Sequence, residues 1–300
     1  MVEFTQHLIN GLSLGSIYAL IALGYTMVFG VLQLINFAHG DVYMLGAFFA
    51  YYGARWAHLE ANPSLGALLI TLLWSMAACA AMGFIIEKFA YRPLRKSPRI
   101  NVLITAVGVS LFLEFSGQVI FGADPKHFPQ IYSAGAVWQM GAVTLDPLQI
   151  IVFVISITLM AILQYIIFKT RLGRGMRAVS FSHDLASLMG IPTNRVISYT
   201  FMLGSALAGA AGVLVSLKYN RIDPLMGVLP GLKAFVAAVL GGVGNVTGAV
   251  VGALTLGLAE EMIGGYLAPT FRDALAFAVL ILILLFKPTG IFGVKRTEKV

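Results

Sequence analysis

Residues 65–87 have the sequence LGALLITLLWSMAACAAMGFIIE, without a charged side chain before Glu87. An α-helix needs about 20 apolar residues to cross roughly 30 Å of hydrocarbon. Only helices and closed barrels satisfy all of their backbone hydrogen bonds in that environment. This segment therefore predicts a membrane-spanning helix.

Comparable apolar segments recur along the chain, at about 8–31, 38–57, 65–87, 100–122, 147–168, 196–217, 231–259 and 273–287. The chain is 59% hydrophobic and 11% charged, whereas soluble domains carry roughly 25% charged residues. We predict an all-α, polytopic transmembrane helix bundle of about eight membrane segments. The whole chain, residues 1–300, forms one transmembrane domain in this interpretation.

Most of the basic residues fall into three short blocks between the apolar segments. The blocks are Lys88, Arg92, Arg95, Lys96 and Arg99; Lys169, Arg171, Arg174, Arg177 and Arg195; and Lys287, Lys295, Arg296 and Lys299. The positive-inside rule predicts that all three face the cytoplasm. The loop 123–146 then lies outside and the loop 169–195 inside. Because these charges sit at span ends, the net charge of +7 indicates membrane orientation and not nucleic-acid binding.

Segment 231–259 is too long for one span and is interrupted by a cluster of small and polar residues. The interruption consists of Gly241, Gly242, Gly244, Asn245 and Gly248. The second and third basic blocks are both predicted to face the cytoplasm, so an even number of membrane crossings must separate them, yet three apolar segments lie between them. We therefore predict that segment 231–259 forms a glycine-broken hairpin, as two short crossings or a re-entrant loop. Asn245 becomes a candidate residue of a solute pathway. A faint resemblance between 30–47 and 240–253 hints at an inverted repeat.

The segment INFAHGD, residues 35–41, places Asn36, His39 and Asp41 between two apolar segments. Polar groups at membrane depth are costly and often functional. They are candidates for direct solute contact at a broken helix. Alternatively, His39 and Asp41 pair with each other, or Asp41 caps the following helix. A His/Asp metal site lacks further ligands nearby, so we predict no metal.

Other acidic residues lie within or beside the spans. Glu114 lies inside an apolar segment and needs a hydrogen-bond partner or a proton, so it is a candidate for a proton relay or an interhelical hydrogen bond. We expect Glu87 to form a solvated interfacial pair with Lys88. Glu260 and Glu261 are expected at the outer interface.

The loop 169–195 contains a predicted short amphipathic helix. Ser182 or Asp184 is its candidate N-cap, and Gly190 ends it. Its apolar stripe consists of Leu185, Leu188 and Met189. Such a helix at the inner membrane surface docks into a partner's groove or lies on lipid, and the residues alone leave both open.

Several kinds of site are missing from the sequence. No segment matches the phosphate-binding pattern G-x-x-x-x-G-K-[ST]. A lone cysteine, Cys79, excludes an intrachain disulfide and a Cys-based metal site. Since no catalytic constellation appears either, we predict a non-enzymatic chain with no bound cofactor, and any ATP that it uses is hydrolysed by another subunit.

Motifs along almost the whole chain resemble the branched-chain amino acid ABC importer permeases of bacteria, and the LivH-type subunit more than its LivM-type partner. These motifs are GSIYALIALGYTMV (15–28), INFAHGD (35–41), AYRPLR (90–95), RLGRGMRA (171–178), ASLMGI (186–191), LGGVG (240–244) and KPTGI (287–291). The resemblance implies a multi-pass protein of the bacterial inner membrane. It also implies a second, LivM-type permease, two ATP-binding cassette subunits and a periplasmic amino-acid-binding protein as partners.

The resemblance also assigns the helix in loop 169–195 as the coupling helix that docks on the ATPase. The residues that match are Asp184, Ala186, Leu188, Met189 and Gly190. The implied mechanism is alternating access driven by ATP binding to the partner subunits. Basic residues at predicted outer positions are candidates for contact with the binding protein, namely Arg55, Lys218, Arg221 and Arg272.

Three other functions compete with this one. Related permeases carry urea, amides or other amino acids. A proton-coupled secondary carrier or a channel would use Asp41 and Glu114 as titrating groups. A membrane scaffold without transport activity is the third alternative.

Overall fold

A computed structural model describes residues 2–95, 97–133, 135, 138–140 and 143–293. In these ranges the protein is helical apart from one small antiparallel β-hairpin, β1 (Trp138–Met140) and β2 (Val143–Leu145). The helices are α1 (Val2–Leu32), α2 (His39–Trp56), α3 (Leu65–Ile86), α4 (Arg99–Phe121), α5 (Pro147–Lys169), α6 (Arg171–Phe181), α7 (His183–Leu188), α8 (Thr193–Tyr219), α9 (Val228–Gly241), α10 (Val246–Tyr266) and α11 (Phe271–Phe286). A π-helical turn (Glu87–Tyr91) follows α3.

Within the described ranges, six helices are long and apolar enough to cross a membrane. They are Glu3–Leu32, Leu65–Leu94, Ile100–Phe121, Pro147–Lys169, Thr193–Tyr219 and Val246–Tyr266. The predicted count of about eight segments is therefore not confirmed. Helix α9 has 14 residues, which reach only about 21 Å at 1.5 Å per residue. The chain is a multi-pass membrane protein in which some helices fall short of a full crossing.

Helices α1 and α8 form the centre of the bundle. The apolar window of α1 is 89% buried and that of α8 is 72% buried, whereas the window of α4 is only 22% buried. Gly24 and Gly204 bring the two central helices together, because a Cβ atom on Gly204 would lie 3.3 Å from the Cα atom of Gly24. Such small residues permit the backbone contact that drives helix association in lipid.

The helices around this centre show a repeated pattern of contacts, which relates α1, α2 and α3 to α8, α9 and α10. Helix α1 packs against α10 and α9, and α8 packs in the corresponding way against α3 and α2. The two shorter helices meet at their first turns, where a Cβ atom on Gly40 would lie 2.7 Å from the carbonyl oxygen of Gly227. The repeat thus relates α2 to α9. Segment 240–253, to which the sequence analysis pointed, runs from the end of α9 into α10, so it does not correspond to α2 in this pattern of contacts.

The predicted glycine-broken hairpin is present, and it is longer than 231–259. Helices α9 and α10 pack against each other on either side of a turn at residues 242–245. Gly242 and Gly244 adopt φ angles of 106° and 91°, a region that favours glycine because it has no Cβ atom. Asn245 Oδ1 accepts a hydrogen bond from the Gly248 amide at 3.0 Å and so caps α10.

The described residues of the three basic blocks lie at one end of the bundle, which we call the inner end. Arg95 of the first block donates to Asn194, beside Arg195 of the second, at 2.7 Å. Lys287 is the described residue of the third block. Shortly after it, the Ile291 amide donates a hydrogen bond to the Leu240 carbonyl beside the hairpin turn. Lys96, Lys295, Arg296 and Lys299 lie outside the described residues. The described part of loop 123–146 lies at the opposite, outer end. There the backbones of Lys126 and Ile222 form a β-bridge, and the Thr144 amide donates a hydrogen bond to the Gln6 side chain near the start of α1.

The hairpin depends on glycines that leave no room for a side chain. A Cβ atom on Gly252 would lie 2.3 Å from the carbonyl oxygen of Ala237, whereas one on Gly108 meets nothing within 4 Å. We predict that Gly252→Ala lowers the free energy of unfolding by about 1–3 kcal/mol through overpacking. The control Gly108→Ala leaves it equal or up to about 1 kcal/mol higher, because alanine favours a helix. Thermal unfolding of the purified variants measures both, and equal stability of the two would contradict the packing account.

Candidate functional site

Asn36 and His39 connect the break before α2 to other elements of the bundle. Both side chains are buried. The Tyr91 hydroxyl donates to Asn36 Oδ1 at 2.8 Å and ties the break to the turn after α3. The His39 ring packs edge-on against Tyr25, with 4.7 Å between ring centroids, and hydrogen-bonds the backbone of Ile21. The ring contact holds α2 against α1, and His39 Nε2 is buried without a hydrogen-bond partner among the described residues.

Asp41 points away from His39 and towards α4. Its Oδ2 accepts a hydrogen bond from Ser110 Oγ at 2.5 Å, and the Glu114 carboxyl lies close enough to interact directly. The alternative of a His39–Asp41 pair is therefore wrong, because residues two apart in the first turn of α2 face different sides of the helix. Asp41 is not the N-cap either, since Ala38 occupies that position and Asp41 lies in the first turn. The structure does bring together the predicted candidates Asp41 and Glu114.

Glu87 is buried at the inner end and contacts several polar residues. The expectation that it forms a solvated pair with Lys88 is therefore wrong. Its carboxylate is fully buried and pairs with Arg95 and with Arg92, the latter at 2.9 Å. It also accepts a hydrogen bond from Ser198 Oγ of α8 at 2.7 Å. Lys88 instead lies over the rings of neighbouring phenylalanines. Two basic residues of the first block thus hold the end of α3 against α8.

A second buried ionic cluster, which the sequence analysis did not predict, lies nearer the outer end. Lys233 Nζ is 2.6 Å from Glu260 Oε1 and 2.6 Å from Asp273 Oδ1. The Tyr18 hydroxyl donates to Glu260 Oε2 at 3.1 Å. The cluster joins α1, α9, α10 and α11, so the expectation that Glu260 lies at the water interface is wrong. A single lysine within apolar segment 231–259 was the available signal, because such a charge requires a partner.

The predicted amphipathic helix is present as α7, and its apolar side chains face outwards. Ser182 is its N-cap, accepting from the Leu185 amide at 3.3 Å. Leu188 and Met189 are each 82% exposed, while Ala186 is buried beneath them. Asp184 is also exposed, and Gly190 ends the helix with a φ of 76°. Phe181, Leu185, Leu188 and Met189 form one exposed apolar surface, which we call the α7 surface.

The α7 surface is fixed directly to the central helix α1. His183 Nε2 donates to the Val31 carbonyl at 2.8 Å, near the inner end of α1. The Ile191 amide donates to the Ala186 carbonyl after the helix and closes the loop. A force on α7 therefore reaches the helix around which the bundle is packed. His183 was not among the residues that the sequence analysis selected.

The four basic candidates at the outer end differ in accessibility. Arg55 is exposed and donates to the Tyr51 hydroxyl at 2.7 Å, and the side chain of Arg221 is 63% exposed. Arg272 instead pairs with Glu261 at 3.1 Å, and Lys218 lies partly buried, 3.5 Å from the Ser13 hydroxyl. The structure leaves Arg55 and Arg221 available for an external partner and directs Arg272 and Lys218 inwards.

Comparison with known proteins places this arrangement in a family. The family model described as branched-chain amino acid transport system, permease component, matches residues 7–284. The chain belongs to that permease family. The high-affinity branched-chain amino acid transport system permease protein BraD of Pseudomonas aeruginosa is 41% identical over 305 residues, covering 99% of this chain and 98% of BraD. The corresponding protein LivH of Escherichia coli K12 is 40% identical over 304 residues, with the same coverage of 99% and 98%.

In this permease, the predicted pathway residues therefore fall into three groups. Asn36 and His39 are buried in the bundle, whereas Asn245, which donates to the Phe292 carbonyl at 3.1 Å, lines a cavity at the inner end. Asp41 and Glu114 form a carboxyl pair between α2 and the loosely packed α4.

The Lys233 cluster makes a testable contribution to the stability of the permease. Lys233→Met leaves Glu260 buried without a cation, and we predict a loss of about 3–5 kcal/mol in the free energy of unfolding. The double variant Lys233→Met, Glu260→Gln recovers part of this loss because it removes the unpaired charge. As a control, Arg221→Met at the exposed pair with Asp223 changes stability by at most about 1 kcal/mol. Denaturant unfolding in detergent measures all three, and equal losses for Lys233→Met and Arg221→Met would contradict the role of the cluster.

Proposed function

We propose that this chain is the membrane permease subunit of an ATP-driven importer of branched-chain amino acids, of the leucine, isoleucine and valine type. The observation that carries the proposal is the α7 surface, an exposed apolar patch at the inner end. The helix that carries it is joined to the central helix α1 by a hydrogen bond. Exposed leucine and methionine at a polar membrane boundary indicate a protein partner. The branched-chain cargo is inferred from the names of the full-length relatives BraD and LivH.

The partners in this proposal are a LivM-type second permease, two ATP-binding cassette subunits and a periplasmic amino-acid-binding protein, in a bacterial inner membrane. The chain itself binds no cofactor and catalyses no reaction. ATP is bound and hydrolysed by the cassette subunits. At the outer end, Arg55 and Arg221 are the proposed contacts for acidic residues of the binding protein, because their side chains are exposed.

The proposed mechanism is alternating access, and the connection between α7 and α1 supports it. When the ATPase subunits close, they displace α7, and the hydrogen bond from His183 to Val31 transmits the displacement to α1. The glycine contacts keep α1, α8 and α10 together, so the bundle moves as a unit. ATP shifts the conformational equilibrium only to the extent that the ATPase binds α7 differently in the two states.

Charge placed on the α7 surface should break the coupling. Leu188→Asp puts a carboxylate into a contact that buries an apolar side chain, and we predict that ATP-dependent leucine uptake falls at least about tenfold, equivalent to 1.4 kcal/mol. The ATPase subunits also co-purify less with this variant. Ser187→Asp adds the same charge to the same helix without removing an apolar contact, and it retains uptake. Normal uptake and co-purification by Leu188→Asp would refute the docking role.

A proton-coupled carrier is the second candidate function, and the contact between Asp41 and Glu114 is the observation that favours it. A protonophore applied while ATP is maintained separates the two functions. The importer continues to accumulate leucine under these conditions, also as the Asp41→Asn, Glu114→Gln double variant. Loss of uptake in both experiments would instead identify a carrier driven by the proton gradient.

A further inference from the structure

A chamber of about 670 Å³ opens at the inner end of the permease. It lies between the end of α1, helix α6, the glycine turn 242–245 and the segment 288–293. Its walls are mainly apolar, and include Met27, Phe29, Ile167, Met176, Val246 and Phe292. A volume of this size is typical of a small-molecule site, and the apolar walls favour a ligand with hydrocarbon.

Among the described residues that line the chamber, one is charged, and that charge is positive. Arg177 lines the chamber, donates to the Ile167 carbonyl, and stacks over the Phe168 ring at 5.9 Å from the centroid. None of the described residues around the chamber is Asp or Glu. The first turn of α10 begins at the wall with Val246, and a helix N-terminus adds partial positive charge. The electrostatics therefore favour an anion.

The surroundings of the chamber place it at the boundary between lipid and the inner aqueous phase. Phe168 is half exposed at the end of α5, whose apolar face is also exposed over most of its length. Helix α6 follows and exposes Arg171 and Arg174 beside Arg177. Among the described ion pairs, no acidic residue neutralises these arginines. Basic pockets between transmembrane helices on this side of a membrane bind anionic lipid head groups.

We propose that the chamber binds an anionic phospholipid of the inner leaflet. Its phosphate contacts the Arg177 guanidinium, and the first part of an acyl chain lies between the apolar walls. Arginine is suited to this contact because its planar donors match phosphate oxygens. A bound lipid fills the space between α1 and the hairpin turn, and so links the inner ends of both halves of the repeat.

Two other occupants match the chamber less well. A transported amino acid is a zwitterion, and its ammonium group would find no carboxylate among the described lining residues. The chain's own last residues, 294–300, contain Lys295, Arg296 and Lys299 against a single acid, Glu298. Such a basic segment has the same sign of charge as Arg177.

The test uses the full chain, purified in detergent and stripped of lipid. Native mass spectrometry counts bound dioleoylphosphatidylglycerol, which is anionic, and dioleoylphosphatidylcholine, which is zwitterionic. The wild-type chain prefers phosphatidylglycerol. Arg177→Gln weakens binding of this lipid about fivefold, as expected for one basic residue near a lipid surface, and Arg177→Lys retains most of it. Val243→Trp, which fills the chamber while leaving every arginine in place, also reduces it.

Arg195→Gln is the matched control, because it removes one exposed arginine of the inner end that does not line the chamber. An equal loss for Arg195→Gln and Arg177→Gln would overturn the proposal in favour of general surface charge. Equal binding of the two lipids by the wild-type chain would overturn it as well. Displacement of phosphatidylglycerol by free leucine would show that the chamber is a solute site instead. None of these outcomes depends on whether the α7 surface binds an ATPase.

Discussion

The structure depends above all on close backbone contact between helices at glycine. In lipid, apolar side chains gain little by moving from hydrocarbon to a helix interface, so association relies on packing distance. Gly24 with Gly204 and Gly40 with Gly227 place the backbones of α1, α8, α2 and α9 almost in contact. This packing puts α1 and α8 at the centre and allows the two shorter helices to begin inside the bundle, where neighbouring helices surround their first turns.

Buried polar clusters then add specific connections to this packing. Glu87 fixes the end of α3 to α8, and Lys233 fixes α9 to α10 and α11. At the inner end, the hydrogen bond from His183 to Val31 fixes α7 to α1. The exposed apolar helix α7 is thereby connected to the central helix α1. Such a connection fits the proposed role of α7 as the contact for an ATPase subunit.

The features set by local sequence could be predicted, and those set by distant partners could not. Apolar length predicted the helical membrane fold, the glycines predicted the hairpin, and Ser182 with Gly190 predicted the limits of α7. Asp41, Glu87 and Glu260 each have a partner on another helix, and the separation along the chain reaches 242 residues for Tyr18 and Glu260. The sequence alone places Glu87 and Glu260 at the membrane interface, because both lie at the ends of apolar segments. In the structure, α8 covers Glu87 and α1 covers Glu260. The predicted count of about eight also exceeded the six helices that are long and apolar enough, because segments 38–57 (α2) and 273–287 (α11) are not among those six.

The side of the membrane on which α7 lies tests the account most directly. Met189→Cys, in a chain whose buried Cys79 is replaced by serine, can be labelled with a membrane-impermeant maleimide in vesicles of known orientation. The account predicts labelling in inside-out vesicles without the ATPase subunits and protection when they are bound. Labelling in right-side-out vesicles, or equal labelling with and without the ATPase subunits, would contradict it.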